Sequence, residues 1–159
     1  FLDFPGHEQV QNYYRDLNIE KAVATVTYKL NGVSYKREIF SSFVDQAIVV
    51  RLTASQSGKV TFNASLTSPL QGEQKIADQK LILTGTSSDH EGEKGQVKFE
   101  TQVKVLTSGG TVQLADNQWK IKNANSATIY ISIATNFISY KDVSGNASAK
   151  ASAYLSKAV

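Results

Sequence analysis

The sequence predicts an all-β fold: an antiparallel β-sandwich of about eight strands with a short C-terminal helix. Three observations point there. Apolar and polar residues alternate with a period of two along most of the chain, as strands with one buried face require. Turn-forming groups, Asn31-Gly32, Ser57-Gly58 and Ser108-Gly109-Gly110, separate these stretches at short intervals. No helical stretch stands between successive strands to carry a parallel crossover, which excludes a parallel α/β enzyme fold, and no repeat of about 20 to 50 residues suggests a solenoid or propeller.

Within residues 22–30, Val23, Thr25 and Thr27 face one way and Ala24, Val26, Tyr28 and Leu30 the other. Asn31-Gly32 follows at once, and because both central residues of a type I′ turn need positive φ, this pair marks a tight hairpin. The return strand covers residues 33–41, with Val33, Tyr35, Arg37 and Ile39 on one side. Residues 46–54 carry Ala47-Ile48-Val49-Val50 and Leu52, a run that predicts a strand covered on both faces. Across residues 59–66, Val60, Phe62, Ala64 and Leu66 alternate with Lys59, Thr61, Asn63 and Ser65. Residues 80–84 and 97–106 repeat the pattern, the second with Val97, Phe99, Thr101, Val103 and Val105 on one face, and residues 85–95 form a polar loop between them. Short strands at 111–114 and 119–121 flank the polar tip Asp116-Asn117. Residues 127–135, where Ala127, Ile129, Ile131 and Ile133 alternate with Thr128, Tyr130, Ser132 and Ala134, predict a central strand. The tail 147–158 is rich in alanine and lysine and predicts a weakly amphipathic helix.

At 159 residues one domain, residues 1–159, is expected, large enough to bury roughly 70% of the unfolded chain's surface. The apolar share of 41% and charged share of 19% are those of an ordinary globular chain. Apolar runs such as residues 47–50 fall far short of the about 20 residues that a bilayer span needs, so no membrane partner is expected. Cysteine is absent, which removes disulfides, thiolate nucleophiles and cysteine-ligated metals. The chain opens on Phe1 and has no methionine, so a processed piece is expected, with any targeting segment upstream. A net charge of +3 would suit nucleic acid, but the 17 basic residues are scattered where phosphate tracking needs a stripe. Lys29, Lys36, Arg37, Lys59, Lys98 and Lys104 are expected on solvated strand faces.

Catalytic chemistry has little to work with. His7 and His90 lie apart in polar segments, and Asp89-His90-Glu91 reads as a solvated loop because adjacent loop residues point in different directions. Glycoside hydrolysis needs two carboxylates flanking the scissile bond. Glu38, Asp45 and Glu100 are the candidates, and each is expected to be a solvent-facing or capping group. Neither a Gly-x-Ser-x-Gly elbow nor a glycine-rich phosphate loop occurs, so no catalytic, cofactor-binding or metal residue is assigned and no cofactor is expected. Trp119, Phe137, Tyr140 and the pair Tyr13-Tyr14 could stack on sugar rings, although a lone tryptophan in a short strand is more often core. Asn63-Ala64-Ser65 and Asn146-Ala147-Ser148 match the N-glycosylation pattern, which is common by chance.

Several stretches together carry a family resemblance. Tyr14-Arg15-Asp16-Leu17-Asn18-Ile19 with Ala22 close behind, then Gly32-Val33-Ser34-Tyr35-Lys36-Arg37-Glu38-Ile39-Phe40-Ser41-Ser42 and Asp45-Gln46-Ala47-Ile48-Val49-Val50-Arg51-Leu52, resemble the N-terminal β-domain of glycoside hydrolase family 95. Gly95-Gln96-Val97-Lys98-Phe99-Glu100 and Ala134-Thr135-Asn136-Phe137 match further places in its pattern, while Ser41 stands for the usual alanine and Asn18 for aspartate. The resemblance implies part of a galactose-mutarotase-like β-supersandwich, with residues 1–4 ending a truncated strand. It also implies a partner in the same chain, an (α/α)6 catalytic barrel that hydrolyses α-L-fucosides or α-L-galactosides with inversion, so the oligosaccharide substrate would be met through the parent enzyme. The family's catalytic groups belong to the barrel, and none maps onto this numbering. A periplasmic or secreted location is implied too. The segment 136–140 is the strand-end loop expected to reach the rim of the active site, through Asn136 and Tyr140. A free-standing carbohydrate-binding module and an adhesion-type sandwich remain open as alternatives.

Overall fold

A computed structural model describes all 159 residues, Phe1–Val159. Twelve strands and one helix follow one another: β1 (Leu2–Asp3), β2 (Gln11–Asn18), β3 (Val23–Leu30), β4 (Val33–Ser42), β5 (Ala47–Ala54), β6 (Val60–Ser65), β7 (Gly72–Ala77), β8 (Lys80–Thr86), β9 (Lys98–Ser108), β10 (Thr111–Ala115), β11 (Gln118–Ala124), β12 (Ser126–Thr135) and α1 (Ala147–Ala158). They form an eight-stranded sheet in the order β2-β3-β4-β5-β12-β9-β8-β7 and a four-stranded sheet in the order β1-β6-β11-β10. Pairing is antiparallel throughout. The fold is the expected all-β sandwich, and β12 holds the predicted central place between β5 and β9.

Alternation decides which residues meet between the sheets. Val50, Leu52, Leu81, Val103, Val105, Ala127 and Ile129 on the large sheet face Val60, Phe62, Ala64, Trp119, Ile121 and Ala124 on the small one. Phe62 has no exposed surface, and a fully buried side chain of this size stabilises by roughly 1.5 to 3 kcal/mol through removal from water. The outer face of the large sheet carries α1 across β12, β9 and β5, with Ala151 and Leu155 buried. That helix is why Val49 and Val50, on opposite faces of β5, are both buried, as the continuous apolar run predicted. The Asn146 side chain caps α1, accepting from the amide of Ala149 at 2.9 Å. Asn31 (φ 49°) and Gly32 (φ 77°) make the left-handed turn expected between β3 and β4.

Two strands go beyond the sequence reading. β2 and β7 are the edges of the large sheet and are exposed along most of their length, so neither has the buried face that writes alternation into a sequence. Two residues read as solvent-facing are not. Glu100 is 5% exposed, because α1 covers its face of β9. Arg37 is half-buried, with its guanidinium 3.9 Å from the centre of the Phe4 ring and Nη2 donating to the Tyr28 hydroxyl at 3.1 Å. Each long polar side chain found a partner distant in sequence that periodicity does not reveal.

Candidate functional site

Antiparallel register lines up one row of polar side chains on the outer face of the large sheet. Glu73 of β7 lies opposite Thr84 of β8, Thr84 opposite Glu100 of β9, and Glu100 opposite Ala134 of β12. Thr86 and Lys98 form the neighbouring pair. The first turn of α1 ends over this row, and between helix and strands lies an open cleft of about 600 Å³ lined by Glu73, Thr84, Thr86, Lys98, Glu100 and Ser148, among others. Glu100 is tied on one side only. Its Oε1 accepts from Gln102 Nε2 at 2.6 Å and from Ser148 Oγ at 3.0 Å, while Oε2 has no protein partner. Gly72 and Gly85 are directly opposite each other at the cleft wall. A Cβ on Gly72 would come within 2.2 Å of the Thr84 carbonyl oxygen, and one on Gly85 within 2.5 Å of the Phe99 ring, so only glycine permits this approach.

A second feature lies on the inner face. The small sheet covers only part of the large one and leaves a row in which Ser41, Ile48 and Ile131 are neighbours, with Ile133 one step beyond. Together with Phe43 these residues line a groove of about 350 Å³. Phe43 is 88% exposed, Val44 72% and Ile133 52%. Leu17, on the edge strand β2, is also exposed. The groove, with Phe43 and Ile133 exposed along it, is an apolar surface suited to contact with another polypeptide.

The other candidates fall into place one by one. His90 is exposed and reaches only its neighbour Glu91, at 3.9 Å, while Asp89 lies 3.9 Å from Lys94, so this loop is solvated as expected. His7 sits in an aromatic cluster with Phe4, Tyr28 and Tyr35, and its Nδ1 is 2.9 Å from the Tyr28 hydroxyl. Burial, and then the Arg37 charge, hold its imidazole below the ordinary value, with Glu8 opposing them. Glu38 pairs with Lys36 at 2.7 Å, and Asp45 accepts from Ser42 Oγ at 2.6 Å. No three His, Asp or Glu side chains converge in metal-binding geometry. Trp119 is core. Tyr13 and Tyr14 are both exposed on edge strand β2, next to the irregularity in its pairing with β3. Asn63 donates to Asp3 at 3.1 Å.

Asn136 acts as a local staple. Its Oδ1 accepts from the Lys98 amide at 2.8 Å, and Nδ2 donates to the Val143 carbonyl at 2.6 Å and to that of Gln96 at 3.3 Å. Tyr140, four residues on, is 86% exposed.

Residues 1–140 match the family described as glycosyl hydrolase family 65, N-terminal domain. The chain belongs to this family. Its relatives agree with that membership. A protein of Arabidopsis thaliana named Alpha-L-fucosidase 2 is 27% identical over 146 residues, a match covering 79% of this chain and 17% of the relative. The solved structure of a putative kojibiose phosphorylase from the human microbiome superimposes with a TM-score of 0.60 at 13% identity, over 94% of this chain and 22% of that one. At that identity the likeness establishes the fold alone. The chain therefore spans about a fifth of each of these proteins. The resemblance read from the sequence is borne out as an N-terminal domain of glycoside-hydrolase-like enzymes, although the matching family model is that of family 65 and not 95.

The cleft escaped the sequence reading, yet a signal was present. Thr101, Val103 and Val105 already fill one face of β9, so Glu100 and Gln102 belong to the other, and the alanine-rich tail supplies the cover. What no pattern contains is the register that brings Glu73 and Ser148 to the same place.

Proposed function

We propose that this chain is the non-catalytic N-terminal domain of an α-L-fucosidase-like glycoside hydrolase of the family 95 type, and that it scaffolds an (α/α)6 catalytic barrel in the same polypeptide. The barrel would perform inverting hydrolysis of α-L-fucosides or α-L-galactosides, and the enzyme would work in the periplasm or outside the cell. The observation that carries this reading is an apolar groove at the end of the large sheet, lined by Phe43, Ile48, Ile131 and Ile133, of which Phe43 and Ile133 are largely exposed. Burying such side chains against a neighbour is worth about 25 cal/mol per Å². The fucosidase relative, more than five times longer than the stretch it shares with this chain, supports both the neighbour and the substrate class. Phe137, Ile138 and Tyr140, on the loop beyond β12, are exposed and free to meet the barrel.

Phe43→Ser and Ile133→Ser test the scaffold role. Both side chains are largely exposed here, so the unfolding midpoint of the 159-residue chain should change little. In the full-length parent the pair should lower thermal stability and activity together. A parent indifferent to both substitutions would show that this surface does not carry the barrel.

A further inference from the structure

We infer that the cleft between the first turn of α1 and strands β7, β8 and β9 binds a neutral, hydroxyl-rich ligand the size of a sugar ring. This goes beyond the scaffold role, because it gives the domain a ligand of its own. The size fits: about 600 Å³ lies inside the roughly 300 to 1,000 Å³ of small-molecule sites. The lining is mostly polar, with Phe99 and Ala147 its only apolar members.

Charge narrows the class. Glu73 and Glu100 repel an anion, and Lys98 beside them, with no third carboxylate or histidine, makes a poor cation site. What remains is a set of acceptors and donors suited to hydroxyl groups: two carboxylates, one ammonium, and the hydroxyls of Thr84, Thr86 and Ser148.

Glu100 is the decisive group. It is 95% enclosed by the complement of its 5% exposure, and it lines the cleft with Oε2 unpaired. Oε2 is left without a protein partner but is open to the cleft, where it accepts from water. Gln102 and Ser148 hold Oε1 and so fix the carboxylate, leaving Oε2 as a positioned acceptor at which a ligand hydroxyl can replace water.

The test is a titration of the ¹⁵N-labelled 159-residue chain with L-fucose, D-galactose and D-glucose, followed by NMR. At least one sugar should shift the amides of Thr84, Thr86, Lys98, Glu100 and Ser148 in a saturable way. Glu100→Gln keeps an oxygen for Ser148 and Gln102 but offers an amide donor in place of Oε2, and should weaken binding about tenfold or more. Lys98→Ala, at an exposed side chain, should weaken it by a smaller factor with the unfolding midpoint unchanged. Three results would overturn the inference: no shift in the cleft with any of the sugars, unchanged affinity in both variants, or shifts confined to Tyr13, Tyr14 and Tyr140. The outcome is independent of whether the parent hydrolyses fucosides, since only the isolated chain and free sugars enter the experiment.

Discussion

Arg37, Tyr28 and His7 form a hydrogen-bonded chain beside the aromatic cluster. Arg37 Nη2 donates to the Tyr28 hydroxyl at 3.1 Å, and that hydroxyl lies 2.9 Å from His7 Nδ1, which accepts from it in the tautomer whose proton is on Nε2. The lowered pKa of His7, caused first by burial and then by Arg37, agrees with that geometry. The unfolded imidazole binds its proton near about 6.5, above the folded value, so between the two the unfolded state holds more protons. The stabilisation is therefore complete above about pH 6.5 and is lost as the pH falls through that value towards the folded pKa. Thermal unfolding followed from about pH 7.5 to 5.5 should show a falling midpoint, and His7→Gln should flatten that slope. An unchanged slope in the variant would remove His7 from the account. None of this was legible in the sequence, where His7 stands in a polar segment and its partners lie 21 and more residues away. Trp119 was legible, because a tryptophan in a short alternating strand has one apolar face to join.

At the scale of elements, strands with one buried face announced themselves and edge strands did not. β6 alternates buried and half-buried residues over its whole length, and the sequence reading placed it within a residue at each end. β2, with seven of its eight residues exposed, carries no such pattern, and the motif in Tyr14–Asn18 reached notice only through family resemblance. The helix α1 was visible from its composition, but not what seats it. That seat depends on Asn136, whose side chain bonds to the main chain at residues 96, 98 and 143 and so fixes the path from β12 into the helix. Asn136→Ala removes three hydrogen bonds and leaves partly buried amide and carbonyl groups unpaired, at a cost of about 2 to 3 kcal/mol. Urea denaturation of the two proteins measures it. Hydrogen exchange at residues 137–150 should quicken in the variant, and a loss below about 0.5 kcal/mol would mean that the segment is held by other contacts.

The whole molecule is an unequal sandwich, eight strands against four, and the inequality leaves apolar surface exposed on the inner face. Alternation in the sequence fills both sheets as though each strand had a partner layer, which is why the architecture was legible while the bare part was not: Ile48, Ile131 and Ile133 read as core. Their incomplete cover, membership of a glycoside hydrolase N-terminal domain family, and a fucosidase relative that continues far beyond the shared stretch all favour a domain that works against a larger neighbour. The most direct measurement is a parallel assay of the full-length parent and of this 159-residue chain on an α-1,2-fucosylated oligosaccharide, reading free L-fucose. Release by the parent alone is the predicted result; release by the 159-residue chain itself would contradict the account.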